Sequence, residues 1–301
     1  MKPLRIGTRG SPLALIQTHE VIEGLVAHYP GLAVEIVPIK TTGDTIVDRS
    51  LIDVGGKSLF TKEIELSLLK GEIDLAVHSM KDVTADVPDG LIIPSMLKRE
   101  DPRDALITYK NKPLEELSAG ALVGTSSLRR QAYVLHQYPH LSVVSFRGNV
   151  ATRLEKVERG DVAATLLAVA GLKRLGLLSK ATQILDLDQF IPAVAQGAIG
   201  IQCRTDDERS LGYLASLNHL PTFQAVSAER AFMKALNGSC RTPLAGYGYL
   251  EGDTLIFKGM ISDPEGKEMK SIAHSGPASC AARIGEEAAF KLKEKRCVVS
   301  S

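Results

Sequence analysis

The sequence predicts an α/β protein of two similar lobes, followed by a small α+β domain. Short β-rich runs alternate with amphipathic helical stretches over the first two thirds of the chain, which is typical of α/β folds. The order of elements then repeats, and residues 70–77 align without gaps on residues 159–166. Polar or Gly/Pro-containing stretches at 100–104 and 191–198 connect the two copies. Two crossings between two similar lobes predict a cleft with hinge freedom.

The first lobe is predicted over residues 1–99. Ser11 followed by Pro12 matches a helix N-cap and a first helical position, so a helix is expected directly after the opening strand. Glycines and charged residues between 41 and 58 predict a long loop. The predicted elements are strands at 4–7, 33–39 and 73–77 and helices at 12–28 and 60–70.

The second lobe is predicted over residues 103–193 and follows the same order. Hydroxyl side chains supply a helix cap after its first strand, and Gly160 stops the second helix. The apolar run at 199–203 is predicted to rejoin the first lobe, which therefore also includes residues 197–217. The predicted elements are strands at 121–124, 141–146 and 162–169, a helix ending near 138 and a helix at 149–159.

Residues 219–301 differ in kind and predict the C-terminal α+β domain. A helix and a Gly-Ser-Cys loop precede three strand-like runs and a final helix. The predicted elements are helices at 222–236 and 277–295 and strands at 245–250, 254–262 and 268–274.

Composition excludes several classes of protein. The 301 residues include 36 Lys and Arg against 35 Asp and Glu, so no basic field marks a nucleic-acid-binding protein. The longest mostly apolar stretch, 162–172, is too short to span a bilayer, and no signal peptide is recognised before the first strand. The four cysteines lack metal-ligand spacing. We therefore expect a cytoplasmic protein with free thiols, without a metal site and without nucleic-acid or membrane partners.

Three predicted strand ends carry side chains that suit anions. In an open α/β sheet, ligands bind at the carboxyl ends of strands, where helix N-termini direct free N–H groups. Taken singly, each hydroxyl is explained as a helix cap and each arginine as a solvated surface residue. Five arginines at the strand ends of a nearly neutral protein together favour a polyanionic ligand in the cleft. The residues are Arg9 and Ser11, then Thr125, Ser126, Ser127, Arg129 and Arg130, then Arg147, Asn149 and Arg153.

Two further positions could carry chemistry. Lys81 and Asp82 follow the buried strand at 73–77, so this carboxylate is expected to face the same cleft, where it could stabilise a cation or transfer a proton. A helix cap or a turn former explains Asp82 equally well. Cys240 lies in a Gly/Pro-bounded loop beside Arg241, which favours a reactive thiolate, whereas the preceding helix C-terminus disfavours it. Residue type and position alone leave both roles open.

Six motifs in a consistent order make the chain resemble the porphobilinogen deaminase (hydroxymethylbilane synthase) family. The resemblance runs from residue 4 to beyond residue 250 and weakens toward the C-terminus. The motifs are GTRGSPLAL at 7–15, VHSMKDV at 77–83, GTSSLRR at 124–130, FRGNVATRL at 146–154, LAVAGL at 167–172 and AQGA at 195–198.

The resemblance implies an enzyme that joins four porphobilinogen molecules head to tail, with loss of ammonia at each step, and releases hydroxymethylbilane by hydrolysis. It implies a dipyrromethane cofactor attached through a thioether to Cys240, with Asp82 as the catalytic aspartate. Lys57 and Phe60 match the end of a mobile loop over the cleft. The positions that match cofactor- and substrate-binding residues are Arg9, Ser11, Lys81, Arg129, Arg130, Arg147 and Arg153, with Thr125, Ser126, Ser127, Asn149 and Gln196 around them.

The same resemblance implies a monomer that takes porphobilinogen as its small-molecule substrate and passes its product to uroporphyrinogen-III synthase. Two features depart from the family pattern. Ser239 and Arg241 flank Cys240 where the family loop commonly has a glycine and a neutral residue, and Gly10 replaces a longer polar residue. The first departure keeps the thiol but could change the rate of cofactor attachment or the conformation of the loop, and the second leaves the adjoining Arg9 and Ser11 intact.

A cytosolic solute-binding or ligand-sensing module is the competing hypothesis. Two periplasmic-binding-protein-like lobes with an anion-binding cleft also describe such proteins, and a fold does not determine a function. This hypothesis leaves Cys240 and Asp82 without a role. It predicts reversible binding and no covalent adduct.

Overall fold

A computed structural model describes residues 2–45, 59–238 and 242–297. Lys57 and Cys240, both singled out in the sequence, lie outside the described residues. The α-helices are α1 (Pro12–His28), α2 (Thr42–Thr45), α3 (Lys62–Leu69), α4 (Leu128–Gln137), α5 (Val150–Glu158), α6 (Val169–Arg174), α7 (Glu208–Ala215), α8 (Leu220–Ala235) and α9 (Ala281–Cys297). The β-strands are β1 (Leu4–Arg9), β2 (Val34–Ile39), β3 (Leu75–Ser79), β4 (Leu91–Met96), β5 (Asp104–Thr108), β6 (Leu122–Gly124), β7 (Ser142–Val144), β8 (Ala164–Ala168), β9 (Gln183–Ile184), β10 (Ile199–Arg204), β11 (Leu244–Glu251), β12 (Thr254–Ile261) and β13 (Lys270–Pro277).

The first sheet has the strand order β2-β1-β3-β10-β4. β1 lies parallel to β2 and β3, whereas β10 lies antiparallel to β3 and β4. Leu4, Ile6 and Ile201 of this sheet are buried in one core with Val21 and Leu25 of α1. The place of β10 confirms the prediction that the chain returns to the first lobe after leaving the second.

The second sheet has the order β7-β6-β8-β5-β9 and repeats this pattern. β6 lies parallel to β7 and β8, whereas β5 lies antiparallel to β8 and β9. In both sheets the antiparallel strand in the fourth place is the one that follows a crossing. The predicted pair of similar α/β lobes is therefore confirmed, since equivalent strands have equivalent partners and directions.

β11, β12 and β13 form a third, antiparallel sheet. On one face, Phe232 of α8 and Phe257 of β12 are fully buried, with 4.9 Å between their ring centroids. On the other face, Ala245 and Met260 share a core with Tyr133 of α4. Together with α8 and α9, this sheet confirms a C-terminal α+β region.

The chain divides into two compact units. Unit 1 consists of Met1–Glu100 with Gly197–Phe223, and unit 2 consists of Asp101–Gln196 with Gln224–Ser301. Unit 1 contains the first sheet, and unit 2 contains the second and third sheets. Within the described ranges, no helix is both long and apolar enough to cross a bilayer.

Several local predictions needed correction, and three of them bear on the candidate site. The loop expected over 41–58 includes the short helix α2, and the rest of it, from 46 to 58, lies outside the described residues. The strand expected at 73–77 begins two residues later, at β3. β5 starts at Asp104, which the sequence placed in a polar crossing, yet the whole strand is buried. Asp104 is tolerated there because it is ion-paired with residues far along the chain, which a local pattern does not reveal.

Candidate active site

Arg9 ends β1, and the following residues begin α1. Ser11 caps this helix, since its hydroxyl oxygen accepts a hydrogen bond from the Ala14 N–H at 3.3 Å. Pro12 then stands at the first helical position, where its missing N–H costs nothing. The short link between β1 and α1 places the Arg9 side chain at the carboxyl edge of the sheet, as the sequence predicted.

Arg9 lies between two carboxylates. Its Nη2 is 2.5 Å from Asp44 Oδ1, and its Nη1 is 3.6 Å from Asp82 Oδ2. Its guanidinium carbon lies 4.3 Å from the centroid of the Phe60 ring, which is a cation–π distance. The structure therefore brings together Arg9, Phe60 and Asp82, three residues that the sequence singled out separately.

Asp82 lies in a 3₁₀ turn, Met80–Asp82, directly after β3. Its side chain is 30% exposed, so one face of the carboxylate is accessible to a ligand. Lys81, the residue before it, is half-buried in the same turn. Buried Met80 anchors this turn in the core, which limits how far the carboxylate can move.

Asp44 is a site residue that the sequence reasoning missed. Burial alone would raise the pKa of Asp44, but hydrogen bonds from Arg9 and Thr41 outweigh it and hold that pKa below its usual value. A signal was available, because Asp44 shortly follows β2, and β2 pairs in parallel with β1 up to Arg9. Side chains that follow two neighbouring parallel strands meet at the same edge of the sheet.

In unit 2, hydroxyl groups hold the loop between β6 and α4 in place. The Thr125 side chain accepts from the Ser127 N–H at 3.1 Å, and Ser127 caps α4 by accepting from the Arg130 N–H at 3.4 Å. Ser126 bonds with both backbone groups of Phe146, each at 3.1 Å. In the described structure these three residues shape the loop, which is the capping role that the sequence left open.

A single carboxylate, Asp104, binds both arginines of α4. Its two oxygens lie 2.7 Å from Arg129 Nη2 and 2.6 Å from Arg130 Nη2. Gln196 Nε2 donates to it at 3.2 Å. Asp104 is fully buried, which alone would raise its pKa, but the two guanidinium charges outweigh burial and lower it. Local sequence reasoning missed Asp104, because its partners lie more than twenty residues away.

Both arginines make further contacts that restrict them. Arg129 donates to the Ile191 carbonyl at 3.0 Å and lies 5.4 Å from the Phe190 ring centroid. Arg130 donates to the Leu166 carbonyl at 2.7 Å. Only 4% and 8% of their side-chain surfaces are exposed. A ligand would therefore meet two guanidinium groups whose orientation is already determined by the protein.

Gln196 is held by an unusual stretch of backbone. Ala195 before it has a positive φ of 60°, and the Ala195 N–H donates to buried Glu229 at 2.5 Å. Gln196 itself donates to the Pro102 carbonyl at 2.7 Å in addition to Asp104. These bonds attach the return crossing to the start of β5.

Arg147, Asn149 and Arg153 surround the start of α5. Asn149 caps the helix by accepting from the Thr152 N–H at 2.9 Å, and Arg153 Nε donates to the Gly148 carbonyl at 2.9 Å. Burial, and after it the charges of Arg130 and Arg147, lower the pKa of Arg153 to about 10. Repulsion among like charges would be relieved by an anion, so this cluster fits a ligand with several carboxylates.

Comparison with known proteins identifies the family. Residues 4–211 match the porphobilinogen deaminase, dipyrromethane cofactor binding domain, and residues 223–294 match the porphobilinogen deaminase C-terminal domain. The chain belongs to the porphobilinogen deaminase family. The resemblance seen in the sequence is therefore confirmed over nearly the whole chain.

Relatives in this family cover almost the entire sequence. The chain is 52% identical to the chloroplastic porphobilinogen deaminase of Oryza sativa, with 97% of this chain and 84% of the relative covered. It is also 52% identical to the porphobilinogen deaminase of Nitrobacter winogradskyi, with coverage of 96% and 92%. Among solved structures, it is similar to a Salmonella typhimurium periplasmic binding protein of high arginine specificity, at TM-score 0.41 and 14% identity, with coverage of 72% and 92%.

The arginines of unit 2 fit the dipyrromethane cofactor of the porphobilinogen deaminase family. Pyrroles derived from porphobilinogen carry acidic side chains, and the lowered pKa of Arg153 marks a cluster that an acidic ligand would stabilise. The residue expected to attach the cofactor, Cys240, lies outside the described residues. Of the cysteines within them, Cys203 is buried, and burial raises the pKa of its thiol to about 11, which makes it a poor nucleophile.

Proposed function

We propose that this member of the porphobilinogen deaminase family uses Asp82 as its catalytic group in the head-to-tail condensation of four porphobilinogen molecules. The observation that carries the proposal is a partly exposed carboxylate, anchored by a short turn and 3.6 Å from Arg9. Positive charge develops on the substrate pyrrole as ammonia leaves. A fixed carboxylate lowers the barrier because it stabilises that charge where it forms.

The arginines have a separate role in this proposal, which is to bind the acetate and propionate groups of the pyrroles. Each added pyrrole brings two carboxylates, so a growing chain needs several fixed cations. Arg guanidinium groups match carboxylates in two-point contacts. The proposed binding residues are Arg9, Ser11, Lys81, Thr125, Ser126, Ser127, Arg129, Arg130, Arg147, Asn149, Arg153 and Gln196.

The cofactor supplies a covalent primer for elongation, and we propose that Cys240 attaches it through a thioether. Arg147 and Arg153 would bind its carboxylates, and the hydrogen bond of Arg153 to the Gly148 carbonyl holds the second of them at the start of α5. Lys57 and Phe60 are proposed to end a loop that covers the substrate. Phe60 supports this role through its contact with Arg9.

Several finer assignments belong to the same proposal. The enzyme is a transferase that acts as a monomer in the cytoplasm and passes hydroxymethylbilane to uroporphyrinogen-III synthase. Its three domains are residues 1–99 with 197–217, residues 103–193 and residues 219–301. Native mass measurement tests the monomer, and fractionation of the producing cell tests the location.

The experiment for Asp82 compares Asp82→Ala with Asp89→Ala, which removes an exposed carboxylate from the same unit. We expect Asp82→Ala to fold and to keep its cofactor while turnover falls by about a thousandfold, in the range of a lost charge-stabilising group. Asp89→Ala should keep wild-type turnover. Normal turnover of Asp82→Ala would remove this residue from the mechanism.

A denaturing intact-mass spectrum tests the cofactor attachment. We expect an added mass of two linked pyrroles on the purified protein and none on Cys240→Ala. An adduct that persists in Cys240→Ala would contradict the attachment site. If neither protein gains pyrrole-sized increments on addition of porphobilinogen, the competing solute-binding hypothesis is favoured.

A further inference from the structure

The turn between β12 and β13 lies against α4, the helix whose first turn carries Arg129 and Arg130. We call residues 263–268 the β12–β13 turn. Gln131 Nε2 of α4 donates to the Pro264 carbonyl at 3.0 Å, and His136 Nδ1–H donates to the Gly266 carbonyl at 2.8 Å. All of these residues belong to unit 2. Two side chains of α4 thus bind the backbone of one turn.

Gly266 makes the closest approach to the helix. It is buried although it lies in a turn, and its φ of +71° is unfavourable for any side chain. A β-carbon at this position would lie 2.3 Å from the Ala132 carbonyl oxygen and 2.9 Å from the His136 backbone nitrogen. These are backbone atoms of α4, one helical turn apart, so neither can move aside without moving the helix.

The turn is itself well braced. The Asp263 carboxylate accepts hydrogen bonds from the Glu265 N–H at 2.9 Å, from the Lys267 N–H at 3.3 Å and from the Glu268 N–H. The Gly266 N–H also donates to the Asp263 carbonyl at 3.1 Å. A turn held by four of its own hydrogen bonds presents a firm surface to the helix.

The residues of α4 that meet the turn can be related to Arg129, which lies in the first turn of the helix. Arg129, Ala132, Tyr133 and His136 follow the spacing i, i+3, i+4 and i+7, so they share one face of the helix. Of the α4 residues that meet the β12–β13 turn, Ala132 and His136 therefore share a face with Arg129, whereas Gln131 lies outside it. A small rotation or shift of α4 would change the 2.7 Å ion pair between Arg129 and Asp104.

We propose that the β12–β13 turn is a positioning element for Arg129 and Arg130, which sets how these two arginines meet the carboxylates of substrate and cofactor. The inference rests on the proposed function, because it takes both arginines as carboxylate-binding residues. It gives the C-terminal sheet a part in anion binding, although the turn supplies no charged contact to α4.

Gly266→Ala tests the proposal, with Gly252→Ala as the matched control. Gly252 also has a positive φ, +58°, and lies in the β11–β12 turn of the same sheet. Its built β-carbon meets no atom within 4 Å. Both substitutions therefore strain a left-handed residue, but only Gly266→Ala pushes against α4.

We expect Gly266→Ala to raise the KM for porphobilinogen about tenfold, whereas Gly252→Ala changes it less than about twofold. Intact mass should also show a smaller fraction of Gly266→Ala carrying the cofactor. KM separates positioning from simple destabilisation, because a smaller folded fraction lowers the maximal rate but leaves KM unchanged. Equal KM values and equal cofactor content in the two variants would overturn the proposal.

Gln131→Met covers the case in which Gly266→Ala does not fold. Methionine keeps the length and helix propensity of glutamine but removes the donor to Pro264. We expect a KM increase of about threefold, and an unchanged KM would contradict the proposal.

Arg130→Leu, measured in parallel, distinguishes a failure of the turn's positioning role from a failure of the proposed carboxylate-binding role of the arginine. Normal cofactor content and normal KM in Arg130→Leu overturn the proposed role of the arginine, whereas an impaired Arg130→Leu beside normal turn variants overturns the turn's role alone.

Discussion

The two charged clusters at the strand ends are opposite in composition although the sheets that carry them have the same topology. In unit 1, one guanidinium, Arg9, lies between the carboxylates of Asp44 and Asp82. In unit 2, one carboxylate, Asp104, lies between the guanidinium groups of Arg129 and Arg130. The same topology therefore carries opposite charge arrangements, and the proposed function assigns the first to a developing cation and the second to an acidic ligand.

Burial differs between the clusters as well. The Asp82 side chain is 30% exposed, whereas Asp104 has no exposed surface. An exposed carboxylate can meet substrate and contributes little to stability, whereas a buried carboxylate bound to two arginines is needed to neutralise them. The comparison predicts that substitutions in unit 1 mainly affect turnover and that substitution of Asp104 mainly affects stability.

Asp104→Asn should have the largest effect on stability. It leaves two buried guanidinium groups without their carboxylate, which costs about 3–5 kcal/mol of unfolding free energy. Urea denaturation measures this loss. Asp161→Asn, which removes an exposed carboxylate paired with Arg159, is the control and should leave the unfolding midpoint unchanged. A loss below about 1 kcal/mol for Asp104→Asn would show that the ion pairs of Asp104 with Arg129 and Arg130 contribute little to the stability of unit 2.

Asp44→Asn should lower kcat about tenfold, which is about 1.4 kcal/mol of barrier, while the protein stays folded. Without Asp44, the Arg9 guanidinium moves toward Asp82 and competes with the substrate cation for that carboxylate. Steady-state kinetics measure the effect. An unchanged kcat would mean that Asp44 does not control where Arg9 lies.

Asp44→Asn should also change how the unfolding free energy depends on pH. The folded-state pKa of Asp44 lies below its usual value of 3.8, so its contribution to stability is present above that pH. The contribution is lost as the pH falls through the folded-state pKa. The unfolding free energies of the wild type and Asp44→Asn should therefore converge in acid, and a constant difference would contradict the pairing.

Arg153→Gln should separate binding from stability in unit 2. We expect the KM for porphobilinogen to rise about tenfold, because one carboxylate contact is lost. The unfolding midpoint should stay the same or rise, since repulsion from Arg130 and Arg147 is relieved. Arg159→Gln removes an exposed arginine from the same unit and should change neither quantity. A lower midpoint with normal KM would indicate a structural role for Arg153.

Glu65→Gln should have the smallest effect and contrasts with Asp104. Glu65 is 4% exposed, and hydrogen bonds with Gln202 and Thr61 offset only part of the cost of burying its carboxylate. Burial raises its pKa above the usual 4.5, so ionisation costs stability as the pH rises. At neutral pH the variant should be more stable by about 1 kcal/mol and less sensitive to pH. Exposed Glu72→Gln is the control, and equal pH profiles for wild type and Glu65→Gln would contradict the expectation.

The sequence by itself determined the paired α/β lobes, the capped starts of α1 and α4, the start of α5 and the family. Alternation of apolar runs, Ser/Thr/Asn caps and Gly stops are local signals, because they depend on residues within a few positions. Motifs such as GTSSLRR placed the candidate arginines at strand ends without any knowledge of their neighbours.

Only the tertiary structure decided which charges neutralise one another. Asp44 and Asp104 were missed because their partners, Arg9 and the α4 arginines, lie 35 and about 25 residues away along the chain. Likewise, the contact of Gly266 with α4 joins residues more than a hundred positions apart. Ion pairs and close backbone contacts depend on distance in space, which the spacing of residues along the chain does not specify.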